Sequence, residues 1–282
     1  MASTTAGLTE AVLHDALVNY LVSMARTVEG AMNRALDALT SLDSARTSAL
    51  PGEVFLLEPR INEMEIVIDE HAIRLLRRGS FSDDEMRLIV AALKITNDLE
   101  RIGDLAVNLA QGAVSLREMP CARIPEELAP MALAVRAMVS KSLGALIFRN
   151  VEMATQVLES DDVVDQYRDR IFENLLASMT QQATLVSSGM QFILATRHLE
   201  RIADHATNIA EDIIFWVRGL DVRHGRGLTM RPDLSEGQAS PEISSETPGE
   251  SPVAAAPEAT AVIENSHAFD ASVTPACDAE RA

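Results

Sequence analysis

Carboxylate side chains recur at a spacing of four residues in two segments of the chain that are similar to each other. Glu100 and Asp104 lie in one segment, and Glu200 and Asp204 lie in the other, at a constant offset of 100 residues. Residues three and four apart share one face of an α-helix, so each pair predicts an acidic stripe along a helix. Stripes rich in carboxylate and amide oxygens can bind a hard metal cation.

A weaker repeat upstream supplies further oxygen ligands. Glu58 and Asn62 match Asp161 and Asp165, again four residues apart. If each upstream helix forms an antiparallel hairpin with the helix that follows it, residues equidistant from the turn lie at one level. The predicted facing pairs are Glu58 with Asp104, Asn62 with Glu100, Asp161 with Asp204, and Asp165 with Glu200. The sequence therefore predicts one candidate metal site in each copy of the repeat.

Arginine offers another explanation for the acidic stripes. Arg101 and Arg201 each adjoin one stripe, and carboxylates beside arginines are common on solvated helix surfaces. Neither His198 nor His205 lies on a stripe at ligand spacing, so surface or helix-packing roles are expected for both. An all-oxygen ligand set suits Mg²⁺, Mn²⁺, Ca²⁺ or iron and disfavours a structural zinc site. The sequence is compatible with both the ion-paired surface and the metal site.

Apolar residues at helical spacing predict six helices in the first 230 residues. The predicted helices cover about Thr9–Ser41, Glu58–Arg78 and Ser82–Glu118, and three more begin near Glu126, Asp161 and Thr184. Ser82 and Glu85 form a capping-box pattern, and Gly219 is the expected stop of the last helix. The repeat predicts an all-α fold of two tandem three-helix bundles, residues 8–119 and 126–220, related as a pseudo-twofold repeat.

The composition supports a helical fold and limits the partners. Hydrophobic residues make up 47% of the chain but aromatic residues only 4%, which suits helix-on-helix packing. The net charge of −18 argues against nucleic acid as the main partner, because phosphate binding needs a basic surface. Residues 233–282 contain ten acidic residues and one basic residue among many Ser, Pro and Ala residues. We predict that this segment is a disordered acidic tail.

Three features predict a cytoplasmic protein without a membrane span. No stretch of about 18 residues is apolar and free of charge, as expected of a transmembrane helix. The first residues do not resemble a secretory signal peptide. The chain has only two cysteines, Cys121 and Cys277, which are expected to be incidental thiols in a reducing compartment.

The two Leu-Glu-Arg-Ile segments and the four-residue carboxylate spacing resemble the PhoU family over about residues 8–220. The carboxylate pairs that match the family motif are Glu100 with Asp104, Glu200 with Asp204, and Asp161 with Asp165. Glu58 is followed by Asn62, an amide in place of the last carboxylate. Because this change lowers the negative charge of the first site, the occupancy of the two sites is expected to differ.

This resemblance implies a function, partners and cofactors. PhoU-family proteins are non-enzymatic negative regulators of phosphate uptake and of the phosphate-starvation response. The resemblance implies an adaptor between the ATPase subunit of a phosphate ABC transporter and a sensor histidine kinase, and it implies a homodimer. Some relatives bind multinuclear iron or zinc clusters on the acidic motifs. The ligands implied here are Glu58, Asn62, Glu100, Asp104, Asp161, Asp165, Glu200 and Asp204.

Two other functions are compatible with the sequence. One is a structural helical adaptor whose acidic faces bind no metal. The other is a carboxylate-bridged di-metal enzyme, which would be expected to carry Glu-x-x-His pairs on its bundle helices. The only such pair, Glu264 with His267, lies in the acidic tail. Since no nucleophile–base pair or phosphate-binding loop is visible either, we expect no enzyme activity.

Overall fold

The computed structural model describes residues 2–223 except 43, 44, 78, 80 and 120, with side chains from Asp15 onward. These residues form α-helices, two short 3-10 turns and no strand, which confirms the predicted all-α class. The helices are α1 (Ala2–Thr40), α2 (Leu50–Leu76), α3 (Asp83–Arg117), α4 (Leu128–Phe148), α5 (Val151–Leu158), α6 (Asp161–Gln181) and α7 (Val186–Arg218). The acidic segment 233–282 lies outside the described residues, so its disorder stays a prediction.

The six predicted helices are present, but α1 and α2 each begin about two turns earlier than predicted and one further helix is formed. α2 begins at Leu50, about two turns before the predicted start near Glu58, because Pro51 suits a first turn and the helix tolerates Pro59 in its interior. The region after α4 contains an additional helix, α5. Arg149 ends α4 in the left-handed conformation, and the side chain of Asn150 accepts a hydrogen bond from Met153 N to cap α5.

The ends of the two stripe-bearing helices follow the predicted signals. Glu85 N donates to Ser82 Oγ at 3.3 Å, and Ser82 N donates to Glu85 Oε2 at 2.7 Å, so the capping box is formed at the start of α3. Gly219 has a φ of 67° and ends α7 in the left-handed conformation, which glycine adopts without steric cost. Both local predictions are confirmed.

α3 and α7 form the most extensively packed helix pair. α3 also packs against α1 and α2, and α7 packs against α4, α5 and α6, so each of the two central helices belongs to one three-helix copy. Beside each acidic stripe runs a seam of buried apolar residues: Leu99, Ile102, Ala106 and Leu109 on α3, and Leu199, Ile202, Ala206 and Ile209 on α7. The main core therefore runs along the contact between the two copies.

Polar contacts across this seam fix the antiparallel register of α3 and α7. Asp98 is only 7% exposed, and its Oδ1 lies 2.7 Å from His205 Nδ1 and accepts a hydrogen bond from Asn208 Nδ2 at 3.3 Å. Lys94 Nζ donates to Asp212 Oδ1 at 2.8 Å. Burial raises the pKa of Asp212, although Lys94 acts in the opposite direction. These buried carboxylates would lose their partners if the helices slipped.

The prediction that no uncharged apolar stretch of about 18 residues is present holds for α4, which contains Arg136 and Lys141. α4 is long and apolar enough to cross a membrane by length and composition, and it is the one such helix in the described part of the chain. Many of its apolar residues are buried, and it packs against α1 and α7, which is the placement of a core helix.

Lys94→Ala should lower the free energy of unfolding by about 2 kcal/mol, because Asp212 would stay buried without the cation that hydrogen-bonds to it. Arg136→Ala is the matched control: both cations are 34% exposed, but Asp212 is 8% exposed and Asp37, which pairs with Arg136, is 52% exposed. The control should lose less than about 1 kcal/mol. Urea unfolding followed by circular dichroism measures both losses. Equal losses would show that burial of the carboxylate does not determine the strength of the pair.

Candidate functional site: two acidic faces

Two acidic faces lie at equivalent places in the two copies. The first acidic face consists of Glu58, Asn62 and Glu65 on α2 with Glu100 and Asp104 on α3. The second acidic face consists of Asp161, Asp165 and Arg168 on α6 with Glu200 and Asp204 on α7. Asp204 is exposed and the other nine side chains are half-buried. Both faces are therefore open to solvent and to small ions.

Small residues on the central helices bring the neighbouring helices close beneath each face. A Cβ atom added to Gly103 would lie 3.1 Å from Ile61 Cδ1, so Ile61 packs directly on the backbone of α3. In the second copy, Val164 and Ala203 occupy the corresponding positions, and both are buried. This close approach places the polar stripe of α2 beside that of α3, and the stripe of α6 beside that of α7.

In the first acidic face, Glu100 has charged neighbours of both signs. Partial burial raises the pKa of Glu100, and the negative charges of Asp104 and Glu65 raise it further. Arg101 acts in the opposite direction: its Nε lies 3.4 Å from Glu100 Oε2, and its Nη1 lies 3.6 Å from Asp104 Oδ2. Because the pKa of Glu100 is raised overall, burial and repulsion outweigh the attraction to Arg101.

Glu65 is a carboxylate of the first acidic face that the sequence analysis missed. Partial burial raises its pKa, and Asp69 and Asp104 contribute in the same direction. Glu58 and Asn62 contact each other, since Asn62 Nδ2 donates to Glu58 Oε1 at 3.3 Å. Glu65 lies three residues after Asn62 and seven after Glu58, so helical periodicity was the signal that could have identified it.

In the second acidic face, the four carboxylates predicted as ligands are electrostatic neighbours. Partial burial raises the pKa of Asp161, and the charges of Asp204, Asp165 and Glu200 raise it further. Partial burial also raises the pKa of Asp204, with Glu200 and Asp165 as the next causes. α6 and α7 thus each contribute two carboxylates to this face, where the like charges repel one another.

Arg168 is the residue of the second acidic face that the sequence analysis missed. Its Nη1 donates to Asp165 Oδ1 at 2.8 Å and to Glu200 Oε1 at 2.5 Å, so a single guanidinium nitrogen bridges α6 and α7. Its Nη2 lies 2.9 Å from Asp169 Oδ1. The sequence analysis identified Arg101 and Arg201, both on the central helices, as the arginines beside the carboxylates. The arginine that joins the two helices comes from α6 instead.

The donor atoms of the first acidic face fit a hard cation better than those of the second. Asn62 Oδ1 is buried and accepts no hydrogen bond within the described part of the chain, and a cation would supply the missing partner. In the second face, Arg168 already pairs with two of the carboxylates. In residues 15–223, as far as they are described, no three His, Cys, Asp or Glu side chains are grouped so that they could hold a metal ion. Binding would therefore require side chains to move, and the eight predicted metal ligands stay a prediction.

Of the two histidines near α7's acidic stripe, His205 contacts another helix and His198 is partly buried. His205 contacts Asp98 across the seam between α3 and α7. Partial burial lowers the pKa of His198, and the positive charges of Arg201 and Arg197 lower it further. Neither histidine is part of an acidic face as the structure places them, and the only Glu-x-x-His pair of the sequence lies outside the described residues.

Comparison with known proteins assigns the chain to a family. The family model described as the PhoU domain matches residues 21–113 and 128–213. The chain belongs to the PhoU family. The first matched segment contains the first acidic face and the second contains the second, so each PhoU segment of this chain carries one face.

Relatives and solved structures agree with this assignment. The "phosphate-specific transport system accessory protein PhoU homolog" of Pseudomonas aeruginosa is 37% identical over 212 residues, which cover 75% of this PhoU-family chain and 86% of the relative. A homolog of the same description from Pseudomonas putida is 34% identical over 234 residues, 83% of this chain and 90% of the relative. The crystal structure of PhoU from Pseudomonas aeruginosa has a TM-score of 0.71 at 33% identity and covers 74% of this chain and 99% of that one. A phosphate transport system regulatory protein PhoU from Streptococcus pneumoniae, 23% identical with a TM-score of 0.67 over 76% of this chain and 99% of that one, shows the same fold.

Glu100→Gln should raise the free energy of unfolding near neutral pH by about 0.2–0.5 kcal/mol, the usual cost of like charges one helical turn apart. A carboxyl group whose pKa is raised by folding stabilises the protein while protonated, and this contribution is lost as the pH rises through the raised pKa. The difference between variant and wild type should therefore appear near pH 7 and shrink at about pH 4.

Denaturant unfolding in a chelating buffer at both pH values measures this difference. Glu63→Gln, an exposed position on α2 outside the face, is the control and should show a smaller change. A Glu100→Gln variant that is less stable than wild type near pH 7 would contradict the repulsion inferred for the first acidic face.

Proposed function

We propose that this chain is a cytoplasmic accessory protein of a phosphate transport system and a negative regulator of phosphate uptake and phosphate-starvation signalling. The observation that carries the proposal is the pair of PhoU segments, which span both three-helix copies. Relatives that align with three quarters or more of the chain are named as accessory proteins of the phosphate-specific transport system. The acidic net charge and the helical fold suit an adaptor that binds proteins.

The proposed partners are the ATPase subunit of a phosphate ABC transporter and a sensor histidine kinase. The regulator would contact both and favour the inactive output of the kinase when phosphate is plentiful, acting as a homodimer. It requires no catalytic residues of its own. A di-metal enzyme has less support, because His205 is engaged by Asp98 in the seam between the copies.

The acidic faces are proposed to bind a metal cation through oxygen ligands. Burial and mutual repulsion raise the pKa values of Glu100, Asp161 and Asp204, and a bound cation would relieve that repulsion. The donor set favours Mg²⁺, Mn²⁺, Ca²⁺ or iron, while the family resemblance points to iron or zinc. The second candidate is a metal-free adaptor, which the ion pairs of Arg101 and Arg168 favour.

Deleting the gene should switch on a phosphate-starvation reporter in cells grown with abundant phosphate, because the proposed inhibitory adaptor is absent. Wild-type chain supplied from a plasmid should restore repression, and the tagged chain should copurify with the transporter ATPase and the sensor kinase. The Glu63→Ala chain, altered at an exposed position outside the faces, is the control and should also restore repression. A reporter that stays silent after deletion would contradict the proposed function.

Replacing Glu100, Asp104, Glu200 and Asp204 together by Ala should remove bound metal from the purified protein while the chain stays helical. Elemental analysis after loading and dialysis measures the metal, and circular dichroism measures the helix content. A variant with the same number of exposed acidic residues replaced elsewhere on the surface, at Glu63, Glu70, Glu118 and Glu152, is the matched control. Undiminished metal in the folded face variant would exclude the acidic faces as the binding site.

A further inference from the structure

The second acidic face already contains a cation that belongs to the protein. Arg168 Nη1 lies 2.8 Å from Asp165 Oδ1 on its own helix and 2.5 Å from Glu200 Oε1 on α7. A guanidinium group stays charged at all physiological pH values and forms strong hydrogen bonds to carboxylates. Arg168 therefore stands among the carboxylates where a metal ion would have to bind.

The corresponding position of the first copy carries the opposite charge. An offset of 103 residues aligns Glu58 with Asp161 and Asn62 with Asp165, and it aligns Glu65 with Arg168. The buried residues of the two helices follow the same alignment: Ile61 with Val164, and Ile68 with Ile171. One position of the repeat thus adds a carboxylate to the first face and a guanidinium to the second.

Arg101 does not play the same part in the first acidic face. Its ion-pair partners, Glu100 and Asp104, both lie on its own helix, at the longer distances of 3.4 and 3.6 Å. The Arg101 side chain is 52% exposed, compared with 32% for Arg168. The charge of Arg101 also lowers the pKa of Glu65 on α2, but among the described residues Arg101 forms no ion pair with α2. An arginine this exposed can turn into solvent at little cost, whereas removing Arg168 breaks an ion pair between two helices.

We propose that Arg168 takes the place of a metal ion in the second acidic face, so that the two copies differ and only the first face binds the cation. This inference rests on the metal binding proposed above. It adds that the metal binds to the first face, and that Arg168 excludes it from the second. Metal binding to the second face would require Arg168 to leave both carboxylates. Within the described part of the chain, no cation forms ion pairs with both helices of the first face, and this face gains a carboxylate, Glu65, at that position.

The first test uses Mn²⁺ as the probe on the full chain. Wild type, the variant Glu100→Ala/Asp104→Ala and the variant Glu200→Ala/Asp204→Ala are titrated, and free Mn²⁺ is followed by electron paramagnetic resonance. The first-face variant should lose most of the bound Mn²⁺, and the second-face variant should bind as much as wild type. Loss of binding in the second-face variant alone would overturn the inference and leave the metal proposal intact. No binding by wild type would overturn both.

The second test removes the internal cation. Arg168→Gln should bind additional Mn²⁺, with an affinity at the second face at least about tenfold higher than in wild type, since ligand charge sets cation affinity. Arg168→Lys, which keeps the charge, is the matched control and should bind as wild type does. In a chelating buffer the Tm of Arg168→Gln should fall, and Mn²⁺ should raise it again. A folded Arg168→Gln chain that gains no Mn²⁺ would overturn the inference.

The reciprocal exchange keeps the inference testable if the Arg168 variants fold poorly. Glu65→Arg places a guanidinium at the equivalent position of the first acidic face, and Glu65→Gln removes the charge without adding a cation. Glu65→Arg should abolish most Mn²⁺ binding, and Glu65→Gln should weaken it only in part. Equal Mn²⁺ affinity in Glu65→Arg and wild type would show that this position does not decide which face binds metal.

Discussion

The antiparallel packing of α3 against α7 is the constraint on which the rest of the structure depends. Both helices bury an apolar seam, and each also carries the acidic stripe of its own copy. The contacts of Asp98 with His205 and of Lys94 with Asp212 cross the seam at buried positions. A slip between the helices would leave these charges buried and unpaired, which is strongly destabilising. Packing of the core and placement of the acidic faces are therefore determined together.

Each acidic face lies over a buried apolar contact between two helices, and its carboxylates repel one another. In the first copy, Ile61 rests on the bare backbone of Gly103, and this contact holds the carboxylates of α2 and α3 near one another. The raised pKa of Glu100 reflects that proximity, after the effect of burial. In the second copy, Arg168 offsets part of the repulsion by bridging Asp165 and Glu200. The position occupied by Glu65 in one copy and Arg168 in the other thus changes what each face offers to an ion.

Local signals in the sequence predicted much of the fold and part of the candidate site. The Ser82 capping box and the Gly219 stop depend on a few neighbouring residues, and both are formed as expected. The start of α2 was predicted near Glu58, whereas the helix begins at Leu50 and continues through Pro59. Glu65 and Arg168 were missed because they lie outside the repeated motif, at a position where the two copies carry opposite charges.

The sequence by itself determined the helical class, the two copies, the buried seams and the acidic stripes, because periodicity and capping act within one helix. Only the tertiary structure decided that Glu65 joins Glu100, that Arg168 reaches across to α7, and that His205 is engaged by Asp98. These contacts depend on the register between helices. Register results from the packing of whole side-chain surfaces against one another, and neither helix contains that information alone.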